Sequence, residues 1–314
     1  MNAATNSSML WPAGPDAQSI AAIGWALFIG GAFIFAGVMV LLARSLQRRA
    51  APRRVRPALW LIGGGVVLPA VVLSALLGWS VALSARLAEP APPGAMVVSV
   101  TGHMWWWEVR YRDPASGADV VLANELRLPV GRKIVVGLNS ADVIHSFWVP
   151  ALAGKVDAVP GRVNQLVFSA SEAGVFRAPC AEYCGQQHAR MALHVVAQPQ
   201  AEFDRWLAAQ AQPAAEPVSA LQRQGQQAFV AQRCVVCHTV RGLGVAGGSM
   251  AAPDLTHVGS RLHLGAGTLR NDPGALAAWI ADVQHLKPGA RMPSYNALDA
   301  PTLQALGAYL AHLQ

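Results

Sequence analysis

The chain has 314 residues, enough for two or three domains, and only 13% of them are charged. A mean hydropathy of +0.33 is too apolar for an ordinary soluble protein. The net charge of +7 does not argue for nucleic acid: six arginines sit in one short run, and residues 90–213 balance ten basic against ten acidic side chains.

The apolar excess is concentrated in two uncharged stretches, 20–43 and 58–85. Each reaches the ~20 residues that a helix needs to cross the hydrocarbon layer. Between them lies "RSLQRRAAPRRVR", with Arg44, Arg48, Arg49, Arg53, Arg54 and Arg56 and no acid. Arginine-rich short loops stay cytoplasmic. The expectation is a two-pass anchor in membrane lipid of a bacterial inner membrane, with the N-terminus and everything after about Glu89 on the periplasmic side. Residues 1–19 lack the basic and short apolar regions of a signal peptide. No cysteine precedes Cys180, so a cysteine-linked lipid anchor is not expected.

From Met96 the pattern becomes period-two alternation. "MVVSVTGHMWWWEVRYRD", "RKIVVGLN", "VNQLVFSA" and "MALHVVAQ" read as strands, broken by turn signals such as "DPASGAD" and "VPGR". Several short strands within ~100 residues predict an antiparallel sandwich or barrel. "AEFDRWLAAQ" predicts a short closing helix, and the Ala/Pro-rich 211–220 a linker. Beyond it, "LQRQGQQAFVAQR", "GALAAWIADVQH" and "APTLQALGAYLAHL" predict helices separated by Gly/Pro loops, the last with Asp299 as N-cap.

The four cysteines fall in two pairs. "CVVCH", Cys234 to His238, has the spacing for covalent haem: two thiols for the vinyl groups and a histidine for the iron. Met292 in "KPGARMPSY" is the candidate for the opposite face, where a thioether raises the potential. His257, His263, His285 and His312 are the competitors. The other pair sits in "CAEYCGQQHARM", Cys180 to Met191. Outside the cytoplasm, a disulfide is the default for paired cysteines. Zinc would use the cysteines and His188 but rarely a methionine. Thiolate, imidazole and thioether together suit soft copper. A further histidine would come from elsewhere, and His145 in "ADVIHSFWVP" is the best candidate.

These stretches, with "DVIHSFWVPALAGKVDAVPGRVNQ", resemble subunit II of haem–copper cytochrome c oxidases. The resemblance runs along the whole chain and includes the fused haem domain of the caa3 type. It implies a two-helix transmembrane hairpin (1–89), a cupredoxin-like antiparallel β-barrel (90–210), a linker (211–220) and an all-α class I cytochrome c domain (221–314). It implies a binuclear copper centre, CuA, bridged by Cys180 and Cys184. His145 and Met191 would complete one copper, and His188 with the backbone carbonyl of Glu182 the other. The Glu182 carboxylate matches a position that holds Mg²⁺ at the boundary with subunit I. Trp105, in "GHMWWWEVRY", matches the tryptophan through which electrons arrive. The implied cofactors are thus CuA, haem c and Mg²⁺. The implied partners are subunit I, with haem a, haem a3 and CuB, subunit III, and a soluble donor such as cytochrome c. The implied function is electron relay to an oxygen-reducing, proton-pumping site that lies in subunit I. No acid precedes the proline of the second apolar stretch, so a proton-admitting role for this chain is not expected. A nitric oxide reductase subunit with the same copper centre is the nearest alternative. A copper chaperone or thiol oxidoreductase would not need His188, Met191 or the haem motif, and a quinol oxidase subunit would lack the copper ligands.

Overall fold

The computed structural model describes residues 7–47, 56–114, 116–244 and 252–314. Most of the basic run, Arg48, Arg49, Arg53 and Arg54 included, lies outside the described residues. Chain contacts divide the protein into a helical unit, Gln18–Pro90, and a larger unit made of Met1–Ala17 and Ala91–Gln314.

The helical unit contains most of α1 (Pro15–Gln47) and all of α2 (Leu68–Leu87), the latter continuing a wider π-type stretch, Leu59–Val67. The helical spans, Pro15–Gln47 and Leu59–Leu87, contain nearly all of the expected 20–43 and 58–85. Pro69 lies where the π-type stretch passes into α2, inside one continuous helix, where a proline removes a backbone donor. Both spans are long and apolar enough to cross a bilayer. Phe28, Phe33, Leu61 and Val81 are all more than half exposed, which water would oppose and lipid favours.

The larger unit begins with a β-sandwich of ten strands. β1 (Met96–His103), β2 (Trp106–Arg112), β3 (Asp119–Ala123), β5 (Ile134–Ser140) and β8 (Asn164–Phe168) form one sheet in the order β3-β2-β1-β5-β8. The second sheet is β4 (Glu125–Pro129), β10 (Ala192–Gln198) and β9 (Gly174–Pro179), with β10 central. β6 (His145–Trp148) and β7 (Lys155–Ala158) make a separate ribbon. Alternation along the strands turns Val98, Val100, Val109, Tyr111, Ile134, Val136 and Leu138 into a shared core with Phe147 and Phe168. Most pairs are antiparallel, but β1 with β5 and β4 with β10 run parallel, because their connections cross between sheets instead of turning back. The long run 96–113 is two strands: β1 and β2 fold back on each other around Met104 and Trp105. Ahead of the sandwich, the Ala13 N–H reaches the Ala151 carbonyl at 2.7 Å, and Ala13 is buried there.

α3 (Gln200–Ala211) closes one side of the sandwich with Phe203 and Leu207. Trp206 lies edge-on to Tyr111 at 5.5 Å and beneath the Arg127 guanidinium at 5.0 Å. Among the described residues four α-helices follow: α4 (Ala220–Ala231), α5 (Pro273–Ala281), α6 (Val283–Leu286) and α7 (Ala300–His312). Ser219 and Gln222 form a reciprocal capping box on α4. Asp299 caps α7, as expected, accepting from the Thr302 N–H. α4 and α7 cross at Gly225, where any Cβ would run into the Ala305 carbonyl. Phe229, Leu276, Ile280, Leu306, Tyr309 and Leu310 form this module's own core.

Candidate redox site

The twelve residues from Cys180 to Met191 connect β9 to β10. The loop is pinched at its base, where the Cys180 N–H donates to the Met191 carbonyl at 2.8 Å. Phe147 bridges to Cys180, and the Ala181 N–H donates to the Ser146 carbonyl at 3.0 Å. This pairing to β6 is what carries His145, thirty-five positions upstream, to the cysteines. Gly185, at φ 114, takes a turn that a side chain would obstruct against the Trp105 ring.

The two thiols are 3.9 Å apart and free. That is well beyond the ~2.04 Å of a disulfide and within twice the ~2.3 Å of a metal–sulfur contact, so one ion can touch both. His145 Nδ1 lies 4.0 Å from Cys180 Sγ, and the Glu182 carbonyl oxygen 3.3 Å from it. His188 Nδ1 lies 3.7 Å from Cys184 Sγ, and Met191 Sδ 3.8 Å from it. All six predicted ligand positions thus converge, each sulfur with its own imidazole. His145 is fully buried and Met191, Cys180 and Cys184 nearly so. The donor set of two thiols, two imidazoles, a thioether and a carbonyl fits soft copper.

Each thiol perturbs the other. The hydrogen bond from Cys184 favours the Cys180 thiolate, with His145 helping against the effect of burial. The Cys184 thiol is correspondingly raised, first by that same bond and then by burial. Burial disfavours the His145 cation, but hydrogen bonds to Cys180 and Asp142 outweigh it and raise its pKa.

Sequence reasoning overlooked several supports. Asp142 Oδ1 sits 2.8 Å from His145 Nε2, which presents Nδ1 to the cysteines, and Asp142 Oδ2 accepts from the Met104 N–H at 2.7 Å. A carboxylate behind a ligating histidine fixes its ring and tautomer. The "D-x-x-H" spacing was the available signal. Gly102 is the floor under His145: a Cβ there would lie 2.7 Å from its Cδ2. Among the described residues, the Glu182 carboxylate makes no hydrogen bond to either sulfur. It is about half exposed and 3.9 Å from Lys155 Nζ.

The second constellation lies in the helical module. Cys234, Cys237, His238 and Met292 all line one apolar cavity. His238 Nδ1 is 2.8 Å from the Pro253 carbonyl oxygen. Burial lowers the His238 pKa, so its imidazole is neutral and fit to ligate. Gln284 holds the Met292 loop by donating to the Ala290 and Met292 carbonyls, both at 2.7 Å. Of the competing histidines, His257 has a carbonyl on each nitrogen, and His285 and His312 are not on the cavity wall. His263 is on the wall but stacks on His194, centroids 4.0 Å apart. Cysteines spaced for both vinyl groups, a neutral histidine and a thioether fit a covalent haem.

The two sites are neighbours. Trp105 lines the haem cavity, and its indole N–H donates to the Cys184 carbonyl at 2.8 Å. Trp106 lines the same cavity and stacks on His103.

A sandwich with a buried sulfur–imidazole cluster, followed by a helical haem module and preceded by two apolar helices, defines a membrane-anchored electron-transfer protein. Comparisons with known proteins agree. Residues 115–198 match the family described as cytochrome c oxidase subunit II, periplasmic domain, and residues 222–314 match cytochrome c. A cytochrome c oxidase subunit 2 from Alkalihalophilus pseudofirmus is 35% identical, across 98% of this chain and 91% of that relative. The Bacillus subtilis subunit 2 is 30% identical across 90% of this chain and 82% of its own length. Among solved structures, the periplasmic domain of subunit II of cytochrome oxidase from Bradyrhizobium japonicum is 34% identical. It covers 38% of this chain and 96% of its own, with a TM-score of 0.34. The chain belongs to the cytochrome c oxidase subunit II family, in the form that carries a cytochrome c domain behind the copper domain. It is a membrane protein with an electron-transfer role, a copper centre and haem c.

Proposed function

We propose that the chain is subunit II of a caa3-type oxidase and relays electrons from a soluble donor to subunit I. When bound, haem c and CuA supply one-electron chemistry between that donor and the haem a and haem a3–CuB sites of subunit I, where O₂ becomes water with proton pumping. Cys234 and Cys237 would tether the haem, and His238 and Met292 would ligate its iron. Cys180 and Cys184 would hold the copper centre through both thiolates, with His145, His188, Met191 and the Glu182 carbonyl as its remaining ligands.

The observation that carries this reading is Trp105. One side chain borders the haem cavity and reaches the carbonyl of a copper ligand through a single hydrogen bond. Trp105 is accordingly the connection between the covalent haem and CuA. The half-exposed Glu182 carboxylate is the candidate Mg²⁺ ligand at the contact with subunit I. Subunit III and membrane lipid are the remaining partners. The basic run 44–56 supports a plasma-membrane orientation with both termini periplasmic. We read 90–210 as the copper domain and 221–314 as the haem domain, joined through 211–220.

The test is electron paramagnetic resonance of the purified full chain after copper loading. A hyperfine pattern from one electron shared over two equivalent coppers is expected. A mononuclear spectrum, or no bound copper, would overturn the assignment.

A further inference from the structure

Between the sandwich and the haem module lies a buried lysine that the function above does not use. Lys287 follows α6 directly, five residues before Met292, and is only 4% exposed. Its Nζ lies 2.8 Å from the Trp105 carbonyl oxygen, 3.0 Å from that of Arg190 and 2.9 Å from that of Gly265. An ammonium has three donors and no acceptor. Here all three are used, on three separate segments: the β1–β2 turn, the copper-ligand loop and a turn of the haem module itself.

Burying a cation is strongly unfavourable unless its donors are met. An apolar side chain of similar volume would fill the space at less cost. What the lysine adds is discrimination, because sliding either module by a bond length would strip a proton of its carbonyl. Neighbouring bonds reinforce the same pose. Gln187 Nε2 donates to the Pro288 carbonyl, and an Arg190 guanidinium N–H to the Leu286 carbonyl, both at 2.8 Å. The Ala192 N–H reaches the Ala266 carbonyl at 3.0 Å, and Glu125 Oε2 accepts from the Leu262 N–H at 2.9 Å. The segment joining the modules is held too: the Ala214 N–H donates to the Arg241 carbonyl at 2.8 Å, and His257 Nε2 lies 2.9 Å from the Gln212 carbonyl oxygen. A haem on a swinging tether would act only through its effective concentration. A seam bonded at this many points describes a fixed donor instead.

The geometry points to Lys287 as the positioning residue for electron transfer between haem and copper: it clamps the backbone of Trp105 and the copper-ligand loop to the haem module. This rests on the reading of the haem and copper sites as successive stations of one electron relay. Burial lowers the ammonium to about 7, so the assay belongs at pH 6, where all three donors are present.

The experiment is flash photoreduction of the haem in the full-length, haem- and copper-loaded chain, followed by the haem and copper absorbances as the electron moves on. Lys287→Met is expected to slow that step roughly tenfold or more, the scale expected of an ångström-level misplacement. The haem absorption and the copper resonance should stay as in the parent. Lys287→Arg should recover part of the rate. In the metal-free chain, Lys287→Met should speed amide exchange at 186–192 and 263–267, a readout independent of either cofactor. If Lys287→Met does not fold, Lys287→Gln, which keeps one amide donor, is the second variant. A parental rate in the methionine or glutamine variant overturns the proposal. Trp105→Phe separates the two ideas. A slow Trp105→Phe beside a parental Lys287→Met refutes the clamp, whereas the reverse refutes the tryptophan connection and leaves the clamp standing.

Discussion

Asp142→Asn tests whether copper binding depends on a residue that touches no metal. The carboxylate has two engaged oxygens. Oδ1 holds His145 Nε2 at 2.8 Å and the Val143 N–H at 2.8 Å, and Oδ2 holds the Met104 N–H at 2.7 Å. An amide has one oxygen, so the asparagine must release either His145 or Met104. Its NH₂ would face a hydrogen already present on the other. The charge that stabilises the proton on Nε2, and so keeps Nδ1 free for copper, is also lost. Partners of this kind are worth about 10- to 100-fold in metal affinity, or ~1.4–2.7 kcal/mol. The measurement is a competition titration of copper against a chelator on the purified chain, with the copper resonance recorded at saturation. A drop of that size, with altered hyperfine splitting on the His145 side, is expected. Because Met104 adjoins Trp105, thermal unfolding is measured alongside to separate loss of fold from loss of affinity. Unchanged affinity and spectrum in a folded Asp142→Asn would refute the claim that this carboxylate sets the His145 ring.

Met292→Ala should leave haem covalently attached through Cys234 and Cys237 while lowering its reduction potential, read by redox titration; loss of attachment would instead assign Met292 a folding role. Gly225→Ala should destabilise the haem module by about 3 kcal/mol, since its Cβ would strike the Ala305 carbonyl and the helices must part; chemical denaturation followed at the haem would detect it, and a neutral result would mean α4 and α7 yield freely. Acid should weaken the protein between about pH 6.5 and 4. Burial, with His263 and Arg177 adding to it, lowers the His194 pKa to about 4, so over that window the unfolded chain binds a proton that the native chain refuses, and stability falls as pH drops. The full effect is up to ~3 kcal/mol. His194→Gln should flatten the dependence of the unfolding midpoint, and an unaltered slope would clear this residue.

Much of the protein was legible along the chain, because its information is local. Two runs of apolar residues suffice to predict membrane helices, and alternation reveals strands whose inner faces are buried. "CVVCH" is readable because haem attachment needs both thiols and a histidine within one turn of chain. "CAEYCGQQHARM" is readable for the same reason, since five of its residues meet within one hairpin connection. Asp299 at its cap is likewise a matter of three neighbouring residues. What folding alone decided is every relation between distant segments. His145 reaches the cysteines only because β6 pairs with the loop base at Phe147 and Cys180. Asp142 acquires a role only once that histidine is fixed, and Gly102 only because the ring lies upon it. In the sequence Lys287 is a basic residue beside Pro288 and Gly289, with nothing to mark it. Its surroundings come from three segments up to 182 positions away, and no periodicity records that. Composition and pattern determine which chemistry each segment can hold, whereas hydrogen bonds that close across the seam determine that the two redox sites face each other.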